Sequence, residues 1–178
     1  MNLPDGWFAD DDIAVYRSLY EQVPDDGWTI ELGCFLGRSI CSVADIVRRK
    51  KLHVYVVDTF KGTHTPDEAW AFEKYKERDI KEEFCVNAFR HGLDGLVAPL
   101  EMTTLEAVKM LPNRFFDLIF IDADHSYEAV KADILAYQPK LKKNHIFAGD
   151  DYTRESVISA VNELLIVRKE ASLWISQS

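Results

Sequence analysis

The residues best equipped for chemistry sit where apolar runs stop: Glu31 with Gly33, Asp58, Thr103, Asp122 with Asp124, and Asp150 with Asp151. Carboxylates at such positions can hold cations, accept from hydroxyl groups and take up protons, and glycine lets backbone come close to a ligand. Carboxylates crowded on one edge repel each other, so something cationic should hold them together.

Trp28 to Ser39 reads as a short buried strand, an acid and two glycines, then the start of a helix. A strand feeding a glycine-rich turn and a helix is how α/β proteins bring a nucleotide-like cofactor against their backbone. Here the glycines fall as Gly-x-x-x-Gly, not as the Gly-x-Gly-x-x-Gly whose second glycine admits a pyrophosphate. S-Adenosylmethionine has no pyrophosphate; it carries an amino-acid tail and a sulfonium cation. Glu31 suits the tail's ammonium, directly or through water, with Gly33 leaving room. The plainer alternative is a salt bridge from Glu31 to Arg38. Asp58 could bond both ribose hydroxyls, although its offset of 21 residues from Gly37 would also fit a dinucleotide enzyme.

The elements that must position these groups follow from apolar spacing. Ile13, Tyr16, Leu19, Tyr20 and Val23 predict a helix over Asp10 to Val23, capped by aspartates 10 to 12 and stopped by Pro24. After the opening strand, Ile40, Val43, Ala44 and Val47 share a helix face. His53 to Asp58 is a second strand, near-continuously apolar as in parallel sheets. Pro66 to His91 is helical in composition with a break near Asp79, and long enough to be a candidate substrate lid. Its aromatic residues, Trp70, Phe72, Tyr75, Phe84 and Phe89, read first as core. Strands follow at Leu96 to Met102, Phe115 to Ile121 and Ile146 to Ala148, with helices over Leu105 to Leu111, around Val130, Ile134 and Tyr137, and around Val157 to Leu164. Ser172 to Ser176 is a last strand, its Leu173-Trp174-Ile175 packing on the sheet or against another subunit. The alternation predicts a single α/β domain over residues 1–178, Rossmann-like and doubly wound, with helices on both faces of a mostly parallel sheet. An N-terminal helical segment spans 1–26.

Glu31-Leu-Gly-Cys-Phe-Leu-Gly-Arg-Ser39, Val57-Asp58-Thr59-Phe60 and Phe116-Asp-Leu-Ile-Phe-Ile-Asp-Ala-Asp-His-Ser-Tyr-Glu128 resemble class I S-adenosylmethionine-dependent methyltransferases. The run from Asp133-Ile134 through Pro139 to Gly149-Asp150-Asp151-Tyr152 narrows the resemblance to the subgroup with bacterial sugar and macrolide O-methyltransferases. Phe60 stands where that family often has Trp, and the last helix lacks a frequent glycine. The resemblance implies cofactor contacts from Glu31, Gly33, Gly37, Ser39, Asp58, Met102, Thr103 and Asp122. Of these, Glu31, Gly33 and Ser39 would hold the methionine portion, Asp58 the ribose, and Met102 and Thr103 would border the adenine. It implies a divalent cation at Asp122, Asp150 and Asp151, with Asp124 or His125 as the general base. An all-oxygen set of that kind suits a hard ion such as Mg²⁺, which would lower the pKa of a bound hydroxyl. Plainer roles stand beside these: Asp124 or Ser126 as one helix cap, Asp151 or Thr153 as another.

A formal charge of −9 over 178 residues argues against nucleic acid or an anionic membrane as partner. Arg48-Arg49-Lys50-Lys51 is the one basic run, and it complements the end of a helix dipole. The start of the chain lacks a signal-peptide pattern, and three cysteines match no zinc or redox spacing, so reduced thiols in a cytoplasm are expected. The expected enzyme is thus a methyltransferase acting on the oxygen of a small, sugar-like hydroxyl compound. The alternatives are a metal-independent N- or carboxyl-methyltransferase and a cofactor-binding module without turnover. The acceptor and the oligomeric state, including a homo-oligomer, stay open.

Overall fold

The computed structural model describes residues 2–62 and 73–177. In chain order the helices and strands are α1 (Asp10–Gln22), β1 (Trp28–Leu32), α2 (Arg38–Ser42), α3 (Ala44–Lys50), β2 (His53–Asp58) and α4 (Ile80–Arg90). They continue with β3 (Val97–Glu101), α5 (Thr104–Ala107), β4 (Phe116–Ile121), α6 (Tyr127–Tyr137), β5 (Leu141–Gly149), α7 (Glu155–Leu164), β6 (Val167–Glu170) and β7 (Leu173–Ser176). The strands form one sheet in the order β3-β2-β1-β4-β5-β7-β6, parallel from β3 to β5 and antiparallel at β7 and β6. This is the doubly wound α/β architecture expected from the sequence.

Strand order reverses between β1 and β4, and register fixes what meets there. Leu32 pairs with Val57 on one side and Ile121 on the other, while Ile121 pairs with Gly149. The next residues along are Gly33, Asp58, Asp122 and Asp150, which therefore emerge side by side at the carboxyl edge. All six residues of β4 are buried, including Asp117, whose Oδ2 accepts from Trp28 N–H (2.9 Å) and Lys142 Nζ (2.7 Å).

Several local expectations need correction. The α1 cap position is Ala9 with no side-chain cap; the three aspartates fall inside the first turn, and Asp12 turns inward. One expected helix splits at Val43 into α2 and α3, though Ile40, Val43, Ala44 and Val47 are all buried. The helix expected over Leu105 to Leu111 is a single turn, Thr104–Ala107, set by a capping box of Thr103 and Glu106. β5 begins at Leu141 rather than Ile146, because its polar Lys142 to His145 section hides the strand pattern. β6 went unpredicted for the same reason: Val-Arg-Lys-Glu shows no apolar alternation. Leu173, Trp174 and Ile175 pack on the sheet, with the Trp174 ring 5.4 Å from Phe147.

Of the segment Pro66 to His91, residues 66–72 with Trp70 and Phe72 lie outside the described residues, as does His64. From Glu73 onward, a short turn of 3-10 helix (Glu73–Tyr75) leads to α4, whose start is capped by Asp79 accepting from Glu82 N–H. The expected break thus falls at Asp79. Tyr75 and Phe84 are buried as core, but Phe89 is 69% exposed, against expectation. Among the described residues no helix is long and apolar enough to cross a membrane.

Candidate active site

The carboxyl edge opens into a cavity of about 730 Å³. Its floor is made by the strand ends, and part of its wall by the segment before α1, including Gly6, Trp7 and Phe8. Arg38 fastens that segment: its Nε donates to Phe8 O at 2.7 Å and its Nη1 to Pro4 O at 3.2 Å. Arg38 is therefore committed to the N-terminal segment and makes no bridge to Glu31.

Gly33 shows why the turn needs glycine. Its φ is +81°, and a Cβ there would sit 1.9 Å from the carbonyl oxygen of Asp122. The β1 and β4 ends approach so closely that no side chain fits between them. Gly37 has φ +83° at the start of α2, against Phe84, and does not line the cavity. Its place is in the turn that carries Ser39, which does line it.

Glu31 is fully buried and lies beneath the cavity lining. Tyr16 of α1 donates to its Oε2 at 2.9 Å, and the Ser39 hydroxyl donates to Oε1. Tyr20 stands behind Tyr16, 3.2 Å between hydroxyl oxygens, and continues to Thr29. Burial pushes the Glu31 carboxyl up to about 7; the Ser39 and Tyr16 hydrogen bonds offset part of that, and the charges of Asp58 and Asp150 add to it. Ser39 is the link between this buried acid and the cavity.

Asp58 organises the glycine turn. Its Oδ2 accepts from Cys34 and Phe35 N–H, both at 2.9 Å, and its Oδ1 from Phe60 N–H at 2.7 Å. A carboxylate has lone pairs beyond these, and Asp58 lines the cavity. Met102 and Thr103 line it from the β3 end, next to β2 in the sheet.

The β4 and β5 ends bring acids and a histidine together. His125 Nε2 lies 2.9 Å from Asp151 Oδ2 and 3.6 Å from Asp122 Oδ1. One donor atom from each of Asp122, His125 and Asp151 lies within 4.8 Å of the others. Burial pushes Asp122 well above the usual carboxylate range, partly offset by His125, with Asp150 adding repulsion. Burial works against an imidazolium at His125, yet the two carboxylates outweigh it and hold the pKa up to about 11. Burial would raise Asp151 too, but His125 and Arg154 hold it below its ordinary value. Arg154 Nε sits 3.0 Å from Asp151 Oδ1.

Asp150 borders the same space but turns Oδ1 to the backbone N–H of Asp151 and to Ser172 Oγ, 2.6 Å from each. Ser172 Oγ is also 2.7 Å from Asp12 Oδ1. One hydroxyl proton cannot serve two carboxylates at once, so Ser172 donates to one of them at a time. Burial pushes the Asp150 carboxyl up to about 6, against the Ser172 and Asp151 hydrogen bonds. Asp124 lines the cavity and accepts from Ser126 N–H at 2.8 Å, while Ser126 itself caps α6. The cap position of α7 is Arg154, without a side-chain cap, so neither Asp151 nor Thr153 caps it.

Asp12 and Ser172 were missed by sequence reasoning. The signal for Asp12 was present: it shares the i, i+4, i+7 stripe of Tyr16 and Leu19, the inward face of α1. Ser172 carried no signal, because its position depends on a hairpin whose first strand is not apolar.

Residues 30–152 match the model of a methyltransferase domain family. No curated protein matches the chain. Among solved structures it is similar to CalS11, a TDP-rhamnose 3'-O-methyltransferase of calicheamicin biosynthesis, with 21% identity over 93% of this chain and 78% of that one and a TM-score of 0.63. It is similar to a candidate caffeoyl-CoA O-methyltransferase from Staphylococcus aureus, with 16% identity, 98% and 85% coverage and a TM-score of 0.69. The SAH-bound methyltransferase PaMTH1 of Podospora anserina shares 15% identity, 93% and 76% coverage and a TM-score of 0.65. At these identities the structural likeness speaks for the fold. The family match covers more than half of the chain and runs from within β1 past Asp151, so it takes in the carboxyl ends of β1 to β5; the chain belongs to the methyltransferase domain family and is a class I S-adenosylmethionine-dependent methyltransferase.

Proposed function

We propose that this enzyme methylates a hydroxyl oxygen of a small, sugar-like molecule, aided by a divalent ion between β4 and β5. The observation that carries the proposal is the convergence of Asp122, His125 and Asp151 beside the cavity. Two carboxylate oxygens and an imidazole nitrogen fit a divalent metal. Asp150 in place of His125 would give the all-oxygen set suited to Mg²⁺, whereas a nitrogen donor widens the choice toward Mn²⁺ or Zn²⁺. The imidazolium of His125 and a divalent cation are alternatives for one task, since either neutralises Asp122 and Asp151. The likeness to a TDP-rhamnose 3'-O-methyltransferase supports a sugar hydroxyl as acceptor. A cytoplasmic location goes with this proposal, given that Cys34, Cys41 and Cys85 are all free thiols.

S-Adenosylmethionine brings its methyl group on a sulfonium, an activated leaving group, so the protein's tasks are alignment and proton removal. Gly33 and Ser39 face the methionine half, Asp58 the ribose, and Met102 and Thr103 the adenine. A bound divalent ion would polarise the acceptor hydroxyl as a Lewis acid and lower its pKa. Arg154 holds the rotamer of Asp151 from behind. Asp124, oriented by Ser126 N–H, is placed to take the hydroxyl proton, whereas His125, an imidazolium between Asp122 and Asp151 or else a metal ligand, has no lone pair to accept it.

A second reading has its own observation. With His125 already 2.9 Å from Asp151, the acids are neutralised by the protein itself, which suits metal-independent transfer to nitrogen or a carboxylate. Methyl transfer assayed over a panel of sugar and other hydroxyl compounds, with and without EDTA, separates the two. The metal-assisted reading expects EDTA to abolish turnover, Mg²⁺ or Mn²⁺ to restore it, and Asp151→Asn to cost about 100-fold. Full turnover in EDTA would reject the metal and favour the second reading.

A further inference from the structure

We propose that Asp12 binds a second hydroxyl of the acceptor, beside the one that is methylated, and so selects polyhydroxylated sugars over simple alcohols. The inference rests on the sugar-hydroxyl reading of this site. Asp12 stands in the first turn of α1 on the buried stripe of Tyr16 and Leu19, and is 6% exposed. Aspartate is seldom buried so far without partners. One oxygen has them: Oδ1 accepts from Ser172 N–H at 2.9 Å and lies 2.7 Å from Ser172 Oγ. Among the described residues no donor meets Oδ2 and no salt bridge reaches the carboxylate. Oδ2 is not enclosed in the interior either, and Asp12 lines the cavity. The carboxylate is thus fixed at one oxygen and open to a ligand at the other.

Its place in the cavity says which ligand. Ribose and adenine are assigned to the β2 and β3 side, whereas β5 and β7 lie across β1 and β4 from it. Ser172, just before β7, joins Asp12 to Asp150 at the end of β5, its Oγ 2.7 Å from the first carboxylate and 2.6 Å from the second. Asp12 therefore flanks the acids of β4 and β5, where the acceptor hydroxyl is proposed to lie. It is not one of the residues that converge as a candidate metal site, Asp122, His125 and Asp151. A group standing beside that centre meets the atoms next to the reacting oxygen, and on a sugar those atoms carry further hydroxyls. A hydroxyl donates to a carboxylate oxygen in a charge-assisted bond. A simple alcohol leaves Oδ2 unmet, which costs binding. Trp7 lines the same cavity and is 54% exposed, and an indole face suits the C–H face of a sugar ring.

The test is kcat/KM with TDP-rhamnose, or with whichever sugar of the panel turns over faster, and with its analogues lacking one ring hydroxyl each. Wild type should lose about 10- to 100-fold with one analogue that still carries the methylated oxygen. Asp12→Ala should slow the parent sugar yet use that analogue within about threefold of it, because the partner of the missing hydroxyl is gone. Asp12→Asn keeps an oxygen for Ser172 N–H and so turns its amide nitrogen to the cavity, a donor where an acceptor stood. Its penalty for the same analogue should shrink by about threefold or more, which carries the test if Asp12→Ala does not fold. A residue that only positioned Ser172 and Asp150 would slow parent and analogue by the same factor. By calorimetry, S-adenosylhomocysteine affinity should stay within about threefold of wild type in both variants. A loss of about tenfold or more would assign Oδ2 to the cofactor's ammonium and overturn the proposal. Equal turnover of these deoxy analogues and the parent by wild type, or an unchanged ratio in Asp12→Asn, overturns it as well. Turnover of no sugar, by enzyme that binds S-adenosylhomocysteine, removes the sugar-hydroxyl reading itself and this inference with it.

Discussion

Replacing Glu31 by glutamine should stabilise the protein above neutral pH while weakening the cofactor site. Glu31 is fully buried, and its carboxyl is raised from 4.5 to about 7 in the folded chain, chiefly by burial. Between those two pH values the unfolded chain has lost a proton that the folded chain still holds. Unfolding then releases a proton, and stability falls as pH rises through the window. The fall from this one group is roughly 3 kcal/mol, complete once pH exceeds the folded value. Glutamine removes the titration but keeps the hydrogen bonds, because the Tyr16 and Ser39 hydroxyls can each donate or accept. Urea unfolding at pH 5 and pH 8 is the assay. At pH 5 the two proteins should agree within about 1 kcal/mol, and at pH 8 Glu31→Gln should lead by roughly 2–3 kcal/mol. Calorimetry with S-adenosylhomocysteine should show weaker binding by the variant, which lacks the negative charge beneath the methionine tail. Parallel stability profiles at the two pH values would refute the reasoning, since every other titrating group is common to both proteins.

Gly33→Ala should lose about 3 kcal/mol or more of stability, read from urea unfolding, along with S-adenosylhomocysteine binding: it combines a left-handed φ of +81° with a backbone oxygen 1.9 Å from the new Cβ. Trp174→Ala should cost about 3–5 kcal/mol and lower the melting temperature by about 10 °C or more, because the ring is 1% exposed and packs on Phe147 at the β5–β7 junction; a melt unchanged by the substitution would show that β7 adds nothing to the core.

What could be read from the sequence divides along a physical line. His53 to Asp58 and the buried run at Phe116 to Ile121 were legible because central parallel strands are apolar on both faces. Their ends were legible for the same reason: a polar residue that stops such a run must sit at an edge, which is how Asp58, Asp122 and Asp150 were found. β6 and the first half of β5 were not, because they lie where the sheet is partly exposed and Lys142 to His145 or Arg168 and Lys169 mask the period. Side-chain commitments were hardest. Nothing in Glu31-Leu-Gly announces that Tyr16, from a different element, holds the acid; nor does the spacing of Asp150 and Asp151 say which turns to Ser172 and which to His125. Those choices depend on one rotamer each, and rotamers are decided by neighbours remote in sequence.

The direction of the perturbed acids ties stability to function. Burial raises Glu31, Asp122, Asp133 and Asp150, all at or just below one edge of the sheet. Each of these groups works against the fold when ionised, and such clustering is characteristic of sites rather than of solvated surface. Asp58 answers the problem locally by accepting three backbone N–H groups, and Asp151 by meeting His125 and Arg154. His125 faces Asp122 as well, but Glu31 and Asp150 have hydroxyl groups for partners, Ser39 and Tyr16 for the first and Ser172 for the second, which orient an anion without neutralising it. Positive charge must come from elsewhere, and a sulfonium, an ammonium and a divalent ion are the forms a methyl-transfer site would bring. In the proposed function such ligands would complete the edge, and their binding would recover the stability forgone in holding these acids dry.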